Sequence, residues 1–240
     1  MEKERNEKQM TKTQVFNVII LDRSGSMECI RKAAVDGFNE TLAGIKKAQE
    51  KFADTQEHYV TLVTFCSCEI KKVHDMIPAK NAEPLDLKDY EPCCCTPLYD
   101  AMGFTLSSIR KHVNNLEDVV VVVTIITDGL ENASHEFSND SIKQLVEELR
   151  VNGWTFTYMG ANQDSKAVAE SMSIRNSRNF AFSSEGTREC MTKDHNTRMH
   201  FFENLAMFRE RHAERTMSKE ELHSAYSDMA DLAFDEIENK

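Results

Sequence analysis

Asp22-Arg23-Ser24-Gly25-Ser26-Met27 sets one carboxylate and two hydroxyls at alternating positions around a glycine that eases a turn. Hard oxygen donors of this kind suit Mg²⁺, with Mn²⁺ and Ca²⁺ as alternatives, and suit zinc or copper poorly. The spacing D-x-S-x-S is weak when it stands alone, because loops that follow strands are rich in Ser and Asp. Two further residues strengthen it. Thr96 lies in Cys95-Thr96-Pro97-Leu98-Tyr99-Asp100, just before a helix pattern, and Asp128 lies in Thr127-Asp128-Gly129, just after a strand pattern. The candidate metal ligands are therefore Asp22, Ser24, Ser26, Thr96 and Asp128.

These residues need a scaffold that brings three separated segments to one rim. Val15–Leu21 is an apolar, β-branched run of strand length ending at Asp22. Ile30, Ala34, Phe38, Leu42, Ile45, Ala48 and Phe52 recur at helical spacing. Tyr59–Phe65 reads as a second strand, with Glu69–Val73 as its hairpin partner at a sheet edge. Leu98, Met102, Leu106, Ile109 and Val113 mark a helix with Pro97 at its first position. Val119–Thr127 has no polar alternation, the pattern of a central parallel strand covered on both faces. A helix bearing Ile142, Leu145, Val146 and Leu149 stops at Asn152-Gly153. Trp154–Met159 is a strand, Ser165–Met172 a short helix and Asn179–Phe182 a last strand.

Alternating strands and helices predict an α/β fold: a doubly wound, mostly parallel, Rossmann-like sheet with helices on both faces and an antiparallel edge strand. Ligands in such sheets bind at the carboxyl ends of strands, near the switch in winding direction. From Glu185 the pattern is helical only. Met199, Phe202, Leu205 and Phe208 form one stripe. Ser218 with Glu221 starts a second helix whose stripe is Leu222, Ala225, Met229, Leu232 and Ile237. The expected division is a disordered leader over 1–13, a domain over 14–184 and C-terminal helices over 185–240, packed on the domain or appended to it.

The chain has 240 residues, 40% of them hydrophobic and 29% charged, enough to bury a core. With 8 Gly and 4 Pro it is neither collagenous nor low in complexity. No apolar run approaches the ~18 residues of a membrane span, and the polar start has no signal-peptide core, so a cytoplasmic location is expected. A net charge of −11 without a basic cluster speaks against nucleic acid and anionic membranes as partners. The seven cysteines should be thiols or metal ligands in that compartment. Cys66 and Cys68 should reach the same rim as Cys93, Cys94 and Cys95. A shared zinc or a redox bridge is conceivable there, but buried thiols are the favoured expectation.

Enzyme motifs are missing. A haloacid-dehalogenase-type phosphatase needs Asp where Ser24 stands. The serine hydrolase elbow G-x-S-x-G, the dinucleotide fingerprint and the P-loop do not occur. The eight histidines are scattered, with surface or helix-end roles expected. A metal-dependent hydrolase is the least favoured reading, and no enzyme activity is expected.

From Val15 to Phe182 the chain resembles the von Willebrand factor A domain with its metal-ion-dependent adhesion site, whose pattern is D-x-S-x-S, then Thr, then Asp. Asp22, Ser24 and Ser26 match the first part, Thr96 the second and Asp128 the third. Thr96–Ala101 (TPLYDA) and Thr127–Asn132 (TDGLEN) look like forms common in bacterial intracellular members. One departure is that Cys93–Cys95 stand where the family often has glycine. The resemblance implies that Asp22 and Asp128 act partly through water, and that neutral hydroxyl ligands leave the cation electrophilic with one open position. An Asp or Glu carboxylate of a partner protein would complete it. An alternative is a regulatory subunit that docks on an AAA-type ATPase or similar machine through the C-terminal helices. The plainest alternative for the metal is that it only holds the loops together. The sequence leaves the oligomeric state open.

Overall fold

A computed structural model describes residues 12–161, 164–181, 183–213 and 215–235. Of the expected leader, 1–11 lies outside them, as do Phe182 and Ile237 of the expected last strand and last stripe.

Among the described residues, six strands form one sheet in the order β3-β2-β1-β4-β5-β6. They are β1 Thr13–Asp22, β2 Gln56–Cys66, β3 Glu69–Pro78, β4 Val119–Thr127, β5 Trp154–Ala161 and β6 Asn176–Phe180. All neighbours run parallel except β2 and β3, which form the antiparallel edge. The helices are α1 Arg31–Lys51, α2 Leu98–Val113, α3 Asn139–Val151, α4 Ser165–Ser171, α5 Ser184–Arg211 and α6 Lys219–Asp235. The sheet is thus the expected doubly wound α/β structure. The winding reverses between β1 and β4, whose register pairs Leu21 with Ile126 and so sets Asp22 beside the end of β4.

Strand alternation divides the core. Phe16, Val18 and Ile20 pack on one face under Leu98, Met102 and Leu106 of α2 and Ile142 and Val146 of α3. Ile19 and Leu21 face the other way, under Phe38, Leu42 and Ile45 of α1 and Met191 of α5. Each such fully buried side chain contributes roughly 1.5–3 kcal/mol, and on β4 every residue is buried.

The C-terminal helices pack on this body. Arg198 of α5 is fully buried; its Nε donates to Asp194 at 2.7 Å, and its guanidinium reaches Asn17 of β1 and Thr124 of β4. The Tyr226 hydroxyl of α6 donates to Asp118 Oδ1 at 2.7 Å, at the amino end of β4, and Arg209 pairs with Asp118 at 3.1 Å. The Ser218–Glu221 capping box is present, with bonds of 3.2 and 2.9 Å.

Four expectations are corrected. The last strand is Asn176–Phe180, three residues early, because its mostly polar residues carry no apolar pattern. The buried face of α6 is Leu222, Tyr226, Ala230, Ala233 and Phe234, while Leu232 is 62% exposed; the Tyr226–Asp118 bond turns the helix off the apparent stripe. Pro97 caps α2 from outside rather than opening it. His58 is not a surface group but lies wholly buried between Asn17, Gln56 and Phe202, and burial holds its imidazole down at about 3.

Candidate metal centre

Asp22 closes β1 with no solvent exposure. Its Oδ1 accepts the Ser24 backbone N–H at 2.6 Å, and its Oδ2 accepts the Thr127 hydroxyl at 2.6 Å. Tyr90, fully buried, donates its hydroxyl to the Asp22 carbonyl from below. Burial pushes the Asp22 carboxyl up to about 6; the neighbouring Asp128 charge adds to that, and the bonds from Thr127 and Ser24 oppose it.

The other candidates gather around it. Ser24 Oγ lies 3.1 Å from Ser26 Oγ, which donates to Asp128 Oδ1 at 2.7 Å. Gly129 marks where they converge. A Cβ built there would lie 2.9 Å from Thr96 Oγ1 and 3.6 Å from both Asp22 Oδ2 and Ser26 Oγ. Asp22, Ser24, Ser26, Thr96 and Asp128 therefore come to one place on the rim, at the winding switch.

A network that sequence reasoning missed holds the two distal loops in register. Thr96 and Asn132 exchange bonds: the Thr96 N–H donates to Asn132 Oδ1 at 2.9 Å, and the Asn132 N–H to the Thr96 carbonyl at 3.1 Å. Glu131 accepts from the Tyr99, Ala133 and Ser134 N–H groups at 2.7–2.9 Å. Asp100 accepts from the N–H groups of His135, Glu136 and Phe137 at 2.8–2.9 Å. These carboxylates stand in for secondary structure across the stretch after Asp128. The only trace of them in the sequence is the pair TPLYDA and TDGLEN.

The donor set fits a hard divalent cation. Two carboxylates and three hydroxyls meet on the rim, with Asp22, Ser24 and Thr96 buried. Asp128 Oδ2 is buried without a hydrogen-bond partner, and burial raises the Asp128 pKa. An orphaned buried carboxylate oxygen near a second buried carboxylate is a costly arrangement that a cation relieves.

The cysteines do lie at this rim, but the expectation of buried thiols is corrected. Cys66 is buried and Cys93 partly so, whereas Cys68, Cys94 and Cys95 are exposed. They end β2 and form the approach to Thr96, positions where the chain leaves the core.

No family model matches the sequence, and no curated protein matches it. Solved structures do resemble the fold. One is a von Willebrand factor type A protein from Catenulispora acidiphila, with 14% identity and a TM-score of 0.54, covering 79% of this chain and 44% of that one. Another is proximal thread matrix protein 1 from the mussel byssus with a zinc-occupied MIDAS motif, with 14% identity and a TM-score of 0.51, covering 78% of this chain and 46% of that one. A third is the SpRpn10 VWA domain, with 9% identity and a TM-score of 0.51, covering 76% of this chain and 95% of that one. This chain spans less than half the length of the first two. With the strand order and the single antiparallel edge, these likenesses identify the fold as that of a von Willebrand factor type A domain.

Proposed function

We propose that the chain is a protein-binding module in which a divalent cation, Mg²⁺ first, is held by Asp22, Ser24, Ser26, Thr96 and Asp128 and completed by an Asp or Glu carboxylate of a partner. The observation that carries this reading is the convergence of three of these oxygens on the point where a Gly129 Cβ would lie, beside the orphaned Asp128 Oδ2. The bound cation would supply Lewis acidity toward an incoming carboxylate. In a chain of net charge −11 it would also provide the local positive charge that an acidic ligand needs. In this reading the cation serves binding rather than turnover.

The surroundings support a docking role. Leu130, directly after Gly129, is 60% exposed. A cleft of about 460 Å³ opens beside Thr96, lined among others by Cys68, Ile70, Pro97, Phe104 and His135. A partner segment could lay an apolar side chain there while its carboxylate reaches the rim. Docking through α6 is less well supported, because its apolar face is already used on the domain.

Selection of a random peptide library on immobilised protein in Mg²⁺, with elution by chelator, tests the reading. Eluted peptides should be enriched in Asp or Glu and should fail to bind Asp128→Ala. Peptides that bind equally well in chelator and on the variant overturn it.

A further inference from the structure

Four sulfurs gather beside the oxygen rim. Cys66 Sγ lies 3.1 Å from Cys93 Sγ, and Cys68 Sγ lies 3.1 Å from Cys94 Sγ. The sulfurs of Cys66, Cys68 and Cys93 also fall within 4.8 Å of one another. We propose that Cys66, Cys68, Cys93 and Cys94 form a second metal site, a tetrathiolate centre for a thiophilic divalent cation, zinc foremost.

The geometry suits it. Tetrahedral ligation with bonds of about 2.3 Å sets sulfurs about 3.8 Å apart, inside the span from 3.1 to 4.8 Å of the Cys66, Cys68 and Cys93 sulfurs; Cys94, 3.1 Å from Cys68 Sγ but outside that triad, would close in as the fourth ligand when the metal binds. Two separate disulfides would account for the close pairs but not for the approach of Cys68 to the Cys66–Cys93 pair.

The backbone is already fixed without the metal. Ser67 N–H donates to the Cys95 carbonyl at 3.0 Å, and Cys95 N–H returns to Ser67 Oγ at 3.1 Å. Cys93 N–H donates to the Arg23 carbonyl at 2.9 Å, and Gly25 N–H to the Cys94 carbonyl at 3.1 Å. Cys94 has φ +59, a left-handed conformation that glycine would take at less cost, so the thiol stands there at an energetic disadvantage.

Charge is accommodated as well. Zinc binding would release one proton from each of the four thiols to solvent and leave a centre of net charge −2. The Arg23 guanidinium, 3.6 Å from Cys66 Sγ and 3.4 Å from Glu69, lies against it.

Such a centre would clamp the β2–β3 turn to the loop that leads straight into Thr96, tying the oxygen rim to a soft-metal site with the opposite ligand preference. It does not depend on the oxygen rim binding a metal.

The test is metal analysis of the reduced chain after exposure to equimolar zinc and gel filtration, together with absorption spectra of the cobalt-loaded chain. One zinc per chain should be retained, and cobalt should give the sulfur-to-metal charge-transfer and tetrahedral bands of a thiolate site. Cys66→Ser and Cys93→Ser should lose at least tenfold in zinc affinity, whereas Cys95→Ser and Asp128→Ala should keep it. The wild-type cobalt spectrum stands even if a serine variant fails to fold. No zinc retained, a cobalt spectrum without sulfur bands, zinc lost in Asp128→Ala but kept in the cysteine variants, or a reduced-buffer mass short by four hydrogens would each overturn the proposal; the last assigns two disulfides instead.

Discussion

Ser26 and Asp128, 102 positions apart in the chain, meet at 2.7 Å, with the serine hydroxyl donating to the carboxylate. Ser26 belongs to the turn after β1 and Asp128 to the loop after β4. Only the parallel β1–β4 pairing, with the winding switch between them, sets these two turns side by side.

Gly129→Ala should abolish tight cation binding while leaving all five donors in the sequence. The added methyl would lie 2.9 Å from Thr96 Oγ1 and 3.6 Å from two other donors, in the space the oxygens surround. Calorimetric titration with Mg²⁺ should show at least tenfold weaker binding, about 1.4 kcal/mol or more. The far-ultraviolet circular dichroism should be unchanged. Wild-type affinity in this variant would place the cation elsewhere.

Relative to Asp22→Asn, the metal-free wild-type chain should lose stability as pH rises through the Asp22 titration; buried His58, held down at about 3, acts in the opposite sense but equally in both proteins. Burial raises this carboxyl from 3.8 to about 6, so between those values the folded chain holds a proton that the unfolded chain has released. The group's favourable contribution is complete below about pH 4 and gone above about pH 6, a difference on the order of 3 kcal/mol. Asp22→Asn removes that slope, and in wild type Mg²⁺ offsets the loss by binding the carboxylate form. The readout is urea unfolding of both proteins from pH 4 to 7 in chelator. Parallel stability curves for the two proteins contradict the assignment.

Arg198→Met should cost about 3–5 kcal/mol in urea unfolding, because it strands the Asp194 carboxylate, which is 1% exposed, beneath α5. The double variant Arg198→Met with Asp194→Leu should recover most of this. An equal loss in single and double variants would show that the arginine's bonds to Asn17 and Thr124, rather than the ion pair, hold α5 to the sheet.

Those sequence signals that come from long burial patterns survived intact. Val119–Thr127 has the bounds its apolar run dictates, since a strand covered on both faces leaves no other choice of ends. That Asp22, Ser24, Ser26 and Asp128 gather is legible because the ends of β1 and β4 are adjacent in any sheet wound this way, whereas Thr96 joins them from the loop before α2. Other features follow from single side-chain bonds, which leave no periodic trace. Tyr226 sets the rotation of α6 through one bond to Asp118, and His58 is taken into the core by a polar shell of Asn17 and Gln56. Asp100 in the first turn of α2, and Glu131 and Asn132 after β4, look ordinary until the N–H groups they accept from, or the threonine that Asn132 pairs with, are known. Cysteine type alone suggests burial, whereas the place of Cys68, Cys94 and Cys95 at chain exits from the core leaves them exposed.

The most direct measurement of the central claim is Mn²⁺ titration followed by electron paramagnetic resonance of the free ion, with zinc-free wild type and Asp128→Ala compared at pH 7.5. Wild type should remove one equivalent of Mn²⁺ from solution, Mg²⁺ should compete for it, and Asp128→Ala should remove none in the same range. Equal Mn²⁺ binding by wild type and Asp128→Ala would contradict a cation held between Asp22 and Asp128.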